Sequence, residues 1–281
     1  MGKFTGVLLA SDFDNTIVDT ASSFRGGAEM PAPSARTLEA LEYFMKNGGR
    51  FTVATGRALA SFARLAGGVP MNAPSVLCNG AALYDFAAGE YLDTNFLNEA
   101  AHRRVQAVLD RHPAVAVEAY HIGNTIHAVQ ANEITRHHEH ITHVSVTEAP
   151  SLLEVPAPLG KLMFEGSHGE LEEIGAYLRS QPWAEEYELI FSDPTLLEMT
   201  ARGANKGGMV RRLAARLGIS MAHVYCAGDE ANDLSMLRAA AEGFAPANCT
   251  AVVRESGATV VSDAAHDALA DIVEILDKRY L

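Results

Sequence analysis

The stretch Val7-Leu8-Leu9-Ala10-Ser11-Asp12-Phe13-Asp14-Asn15-Thr16 decides how this chain is read. A short apolar run ends in two carboxylates, then a turn-prone Asn and a Thr. Buried parallel strands read as such runs. Open parallel sheets bind their ligands beyond the carboxyl ends of the strands. The pattern therefore places Asp12 and Asp14 where an α/β protein does its chemistry. Carboxylates that close repel each other and call for a cation or a shared proton. A hard cation such as Mg²⁺, which takes oxygen ligands, meets that demand. The competing reading, a pair of turn or helix-cap residues, is common for Asp; three later segments weaken it.

The rest of the chain sets the frame. Its 281 residues suffice for one large domain or two, and a hydrophobic share of 48% with 20% charged residues is that of a globular protein. A formal net charge of -13 argues against nucleic-acid partners, whose phosphates need Lys and Arg, and against anionic membrane surfaces. Cys78, Cys226 and Cys249 form no CxxC and sit among apolar or small residues, which suits buried reduced thiols. Val7 to Ala10 is too short for a signal peptide or a membrane span, so a cytoplasmic protein is expected, monomeric or a weak homodimer.

Working outward, a strand near Thr5 to Ser11 leads into a polar region rich in Gly, Ala, Ser and Pro, up to Pro33. A helix follows from Ser34 to Asn47, capped by Ser34 and ended by Gly48-Gly49. Phe51 to Ala54 reads as a strand, Ala58 to Leu65 as a helix, and Ser75 to Cys78 as a third strand. That β-α-β-α-β order argues for a parallel sheet. After Asn79-Gly80 the character changes to hairpin-like segments, a helix near Glu99 to Arg111, and short alternating stretches. From Lys206 the α/β pattern resumes, with helices over Gly207 to Leu217, Asp233 to Ala240 and His266 to Lys278 and strands at His223 to Ala227 and Val260-Val261. The expected architecture is a doubly wound parallel-sheet core, residues 1–82 and 195–281, interrupted by an α+β domain at 83–194.

Three segments add chemistry to Asp12 and Asp14. Gly228-Asp229-Glu230-Ala231-Asn232-Asp233 follows another apolar strand and brings two more carboxylates to a strand end. Thr55-Gly56 lies between a strand and a helix, where a hydroxyl and backbone N–H groups suit phosphate. Lys206 opens a helix and offers a point cation. Taken singly, each is also an ordinary turn, cap or surface residue. In order, spacing and strand context the four together resemble the haloacid dehalogenase-like hydrolases, with a DxDx[TV] strand end, a Ser or Thr strand end, a Lys and a GDxxND loop. The long interval between Thr55 and Lys206, with Asn79-Gly80-Ala81 at its start and Pro246-Ala247-Asn248 after the acidic loop, is similar to the Cof-type subfamily, whose α/β cap sits there. Asn15 stands where Gly is frequent, and Asn tolerates the same left-handed backbone.

The resemblance implies an enzyme that hydrolyses a small phosphorylated metabolite, with Mg²⁺ as cofactor. Asp12 would be the nucleophile that forms an aspartyl-phosphate, and Asp14 the acid and base toward the leaving group and water. The implied metal set is Asp12, the backbone carbonyl of Asp14, Asp229 and, orienting ligands and waters together with Asn232, Asp233. Thr55, the Gly56 N–H and Lys206 would hold the phosphoryl oxygens. A phosphomutase or phosphotransferase using the same intermediate, and a non-catalytic phospholigand-binding protein, are the alternatives. In the inserted segment, Arg136-His137-His138-Glu139-His140-Ile141-Thr142-His143 is either a metal or phosphate site or a solvated polar helix; with no carboxylate or thiolate spacing beside it, the solvated helix is preferred.

Overall fold

A computed structural model describes residues 2–25, 30–121 and 125–280. In chain order the first half runs β1 (Leu8–Ser11), α1 (Thr20–Arg25), α2 (Ala35–Lys46), β2 (Arg50–Val53), α3 (Leu59–Ala66), β3 (Ser75–Leu77), β4 (Ala82–Asp85), β5 (Glu90–Thr94) and α4 (Ala100–Leu109). Then come β6 (Ala116–Tyr120), β7 (Ile126–Val129), α5 (Glu133–Thr142), β8 (Thr147–Glu148), β9 (Lys161–Glu165), α6 (His168–Arg179), β10 (Tyr187–Asp193) and β11 (Leu196–Ala201). The chain closes with α7 (Lys206–Leu217), β12 (Val224–Ala227), α8 (Leu234–Ala239), β13 (Glu242–Ala245), α9 (Ala251–Arg254), β14 (Thr259–Val260) and α10 (Ala268–Arg279).

Five strands form a parallel sheet in the order β14-β13-β12-β1-β2. Alternation along β1 makes it doubly wound. Leu9 packs with Phe44 of α2 and Ile272 of α10 on one face. Leu8 and Ala10 pack with Met209 and Leu213 of α7 and Met236 of α8 on the other. Caps hold where the sequence places them: Ser34 Oγ accepts from the Thr37 N–H at 3.0 Å, and Gly218 takes the left-handed conformation that ends α7. Part of the polar region before Pro33 is helical as α1, and its residues 26–29 lie outside the described set.

β3 differs from its expected role. Among the described residues it meets the parallel sheet through a bridge between Ala54 and Val76, and it pairs antiparallel with β4, which pairs with β5. Leu83 packs into the core beside Val210, so this hairpin stays with the core although the expected insert begins at 83. At the other end, β11 lies between β10 and β9 of the second sheet, past the expected limit of 194. An alternating stretch reveals a strand but not its partner, because strand pairing is non-local. β13, which the sequence pattern did not mark, completes the parallel sheet beside β12.

The second sheet has the order β10-β11-β9-β6-β7-β8 and is antiparallel except where β7 meets β8. One face is apolar: Val117, Leu162, Phe164 and Met199 pack against Val105 of α4 and Ile174 of α6. Period-two alternation sends Glu118, Lys161, Glu165 and Glu198 to the opposite face, all buried. Among the described residues no helix is long and apolar enough to cross a membrane.

The turn at Asn79-Gly80 joins the two ends of the core. Asn79 has φ 53° and Gly80 φ 97°, and a Cβ on Gly80 would stand 2.3 Å from the backbone oxygen of Asn205, next to Lys206. Any side chain there meets both an unfavourable backbone conformation and a fixed backbone. Gly80→Ala is expected to lower stability by about 1–3 kcal/mol, read as a lower denaturant midpoint at unchanged slope.

Candidate active site

The parallel register brings the acidic residues together. The β1–β12 ladder ends at the pair Ser11 and Ala227, and the Asp12 N–H donates to the Ala227 carbonyl at 2.8 Å. Asp12 is thus the first residue past the sheet, and Asp229 follows closely behind the end of β12. One carboxylate oxygen from each of Asp12, Asp229 and Asp233 lies within 4.8 Å of the others, and all three residues are buried.

One cation answers them. Lys206 is 0% exposed, and its Nζ donates to Asp12 Oδ1 at 2.7 Å and to Asp233 Oδ1 at 2.6 Å. The other oxygen of Asp233 accepts the N–H groups of Asp229 and Glu230, each at 3.0 Å. Asp233 therefore spends both oxygens on shaping the loop and holding the lysine. Asp229 keeps more freedom: Thr16 Oγ1 donates to its Oδ1 at 3.1 Å. Asn248 Nδ2 donates to the carbonyl of Asn15, whose φ is 54°, and so ties the late Pro246-Ala247-Asn248 turn to the first motif.

The charge balance is uneven. Burial, opposed by Lys206 and reinforced by Asp233 and Asp14, pushes Asp12 up to about 7. Burial, reinforced by Asp12 and Asp233, pushes Asp229 up to about 9. Burial works against the charged lysine, but Asp12 and Asp233 outweigh it and raise the pKa of Lys206. Three buried carboxylates against one ammonium leave negative charge uncompensated. An all-oxygen donor set of this kind suits a hard divalent cation, so the residues present match such an ion.

Asp14 points elsewhere. Arg57 donates from Nε to Asp14 Oδ2 and from a terminal nitrogen to Oδ1, each at 2.7 Å, a two-pronged pair. The Asp14 carboxylate thus stands apart from the three-acid cluster. Thr55 is buried, and its Oγ1 accepts from the Arg57 N–H at 3.0 Å. Asn232 Nδ2 donates to Asn79 Oδ1 at 3.1 Å, while Asn232 Oδ1 is buried without a hydrogen-bond partner.

Asp12, Asp14, Thr55, Arg57, Asp229 and Asn232 line one cleft of about 370 Å³ between the parallel sheet and the polar face of the second sheet. Its far wall includes Tyr120, His138, Lys161 and Glu198. Lys161 pairs with Glu198 at 3.1 Å and donates to the Gly56 carbonyl at 3.1 Å, and Asn79 Nδ2 donates to Glu198 Oε2 at 2.6 Å. These bonds clamp the second sheet onto the Thr55-Gly56 turn. The sequence reading missed Arg57, Lys161 and Glu198 as site residues. Arg57 adjoins Thr55-Gly56 and was within reach of a motif argument; Lys161 and Glu198 carry no local signal.

Comparison with known proteins identifies the family and the fold. A family model described as haloacid dehalogenase-like hydrolase matches residues 9–273. The chain is 32% identical over 130 residues to a putative phosphatase, YxeH, of Bacillus subtilis, an alignment covering 44% of this chain and 46% of that protein. It is 22% identical over 280 residues to pyridoxal phosphate phosphatase YbhA of Escherichia coli, covering 95% of this chain and 97% of that one. An HMP-PP phosphatase of Citrobacter koseri is 27% identical over 218 residues, covering 75% and 76%. Among solved structures, the subclass IIB sugar phosphatase BT4131 superposes with a TM-score of 0.80 at 22% identity, covering 96% of this chain and 99% of that one. A haloacid dehalogenase-like hydrolase from Bacteroides thetaiotaomicron does so with a TM-score of 0.79 at 20% identity, again covering 96% and 99%. With the acidic cluster, its lysine and the interrupted parallel sheet in place, the chain belongs to the haloacid dehalogenase-like hydrolases.

Proposed function

We propose that this chain is a Mg²⁺-dependent phosphoric monoester hydrolase that acts on a small phosphorylated metabolite through an aspartyl-phosphate on Asp12. The observation that carries the reading is the carboxylate of Asp12, held by Lys206 at 2.7 Å at the floor of a cleft and beside two further buried acids. The phosphatases among the relatives support the substrate class, since the names of two specify pyridoxal phosphate and HMP-PP. Buried, unpaired thiols at Cys78, Cys226 and Cys249 suit a reducing cytoplasm.

Asp12, Asp229 and the backbone carbonyl of Asp14 would hold the ion, which supplies charge neutralisation between an anionic nucleophile and an anionic substrate. Asp233 acts through Lys206 and the loop N–H groups and positions both. In the first half-reaction an Asp12 oxygen forms a bond to phosphorus while the bond from phosphorus to the leaving oxygen breaks. The protonated carboxyl of Asp14 gives its proton to that leaving oxygen. In the second half a water oxygen bonds to phosphorus, the Asp12 oxygen departs, and the water proton passes to Asp14. Thr55 Oγ1, the Gly56 N–H and Lys206 Nζ receive the phosphoryl oxygens. A carboxylate that accepts two Arg57 bonds cannot donate to a leaving group in the same geometry, so the Arg57–Asp14 pair would open, and Asp14 take up its proton, before the first half-reaction.

We place the cap at residues 95–205, between the end of β5 and the start of α7. Its polar sheet face covers the leaving-group side of the cleft and would set specificity.

Asp12→Asn keeps the shape and removes the nucleophile. Turnover of a generic phosphate ester should fall by about 10⁴-fold or more, as for other essential catalytic groups. Asp14→Asn should also slow turnover but leave Mg²⁺ affinity within a few-fold of the parent. Equal activity of Asp12→Asn and the parent protein refutes the assignment.

Ion binding should also register in stability. Mg²⁺ at about 100 times its Kd should add about 2.7 kcal/mol to the parent protein, read as a higher melting temperature than in EDTA. Asp229→Asn replaces a carboxyl that burial and the neighbouring acids hold up to about 9, and so removes the cost of keeping it protonated at neutral pH. It should melt higher than the parent in EDTA and lose most of the Mg²⁺ increment. An undiminished Mg²⁺ increment in this variant contradicts the assigned ligand set.

A further inference from the structure

The polar face of the cap sheet buries more acid than it neutralises. Glu118 of β6, Glu165 of β9 and Glu198 of β11 are 1%, 0% and 3% exposed. Lys161, the cation of that face, is committed to Glu198 at 3.1 Å and to the Gly56 carbonyl. Glu118 and Glu165 are left with His138, which α5 sets over them from the His-rich stretch.

The three side chains converge. His138 Nδ1 lies 3.1 Å from Glu118 Oε1, 3.0 Å from Glu118 Oε2 and 3.8 Å from Glu165 Oε1. One ligand atom from each of the three falls within 4.8 Å of the others. Two hydroxyls hold the carboxylates: Tyr120 Oη donates to Glu118 Oε2, and Thr135 Oγ1 donates to Glu165 Oε2. Glu165 Oε1, which faces the imidazole, is fully buried and has no hydrogen-bond partner.

We propose that Glu118, His138 and Glu165 form a second divalent-cation site, in the cap, taking an ion that accepts an imidazole nitrogen together with carboxylate oxygens, Zn²⁺ foremost. Donors about 2.1 Å from a tetrahedral ion stand about 3.4 Å apart, and the spacings from His138 to the carboxylates bracket that value. The mixed donor set distinguishes this site from the all-oxygen cluster around Asp12, which favours a harder ion. The Tyr120 and Thr135 hydroxyls act as the outer partners that hold ligating carboxylates in place. Burial and the neighbouring Glu118 push Glu165 up to about 8, against the hydrogen bond from Thr135 and the charge of Lys161, as expected where two buried acids stand together. A bound ion ties α5 to β6 and β9. Because His138 and Tyr120 line the cleft, it also fixes the wall that faces the leaving group.

The test counts metal per chain, so its result does not depend on the phosphatase reading. The full chain carrying Asp229→Asn, which weakens the core site, is stripped of metal and titrated with Zn²⁺ by calorimetry, with elemental analysis after dialysis. One Zn²⁺ per chain is expected. Adding Glu165→Gln should weaken it at least tenfold, and adding His138→Ala should do the same; the second variant, at a partly exposed position, serves if the first fails to fold. His140→Ala and His143→Ala should leave the affinity unchanged. The proposal is overturned if no stoichiometric Zn²⁺ binds, if binding survives both Glu165→Gln and His138→Ala, or if it requires His140 or His143.

Discussion

Everything in the core answers to one ammonium group that must sit among three buried carboxylates. Lys206 Nζ touches Asp12 and Asp233 and has no exposure to water. Each of these charges is costly to bury alone, by several kcal/mol, and removing one partner of such a pair costs about 3–5 kcal/mol. The arrangement persists because it is shared. β1 delivers Asp12, α7 delivers Lys206, and the loop after β12 delivers Asp229 and Asp233. The cluster remains short of positive charge, and this shortfall suits it to a divalent cation.

The scaffold follows from that demand. Parallel strands align their carboxyl ends, so the pairing of Ser11 with Ala227 brings two loops far apart in sequence to a common point. The Gly80 turn lets the chain pass within contact of Asn205 and so sets where α7 begins. The cap answers the core with its own polar face. Lys161 bridges Glu198 to the Gly56 carbonyl and so ties the second sheet to the Thr55-Gly56 turn.

Legibility in the sequence followed the range of the interaction. The first motif, the acidic loop, Thr55 and Lys206 were readable because each is a local signal at a strand end or helix start. Most helices were readable from caps and periodicity, as with Ser34 and Gly218. The pairings of β4 and β11 were not, because they are settled by distant partners rather than by their own residues. The His-rich helix shows the same limit: no carboxylate lies at ligand spacing within it, yet strand alternation in β6 and β9 carries Glu118 and Glu165 under His138. Arg57, next to the Thr55-Gly56 turn, takes its meaning only from the bidentate contact with Asp14 across the cleft.

The central claim is that this buried, lysine-held carboxylate receives the phosphoryl group. It is tested most directly by acid-quenching the Mg²⁺-loaded enzyme during turnover of a phosphate ester and mapping the phosphorylated peptide by mass spectrometry. The account predicts a phosphoryl adduct on Asp12 that disappears in Asp12→Asn. An adduct on any other residue would contradict it.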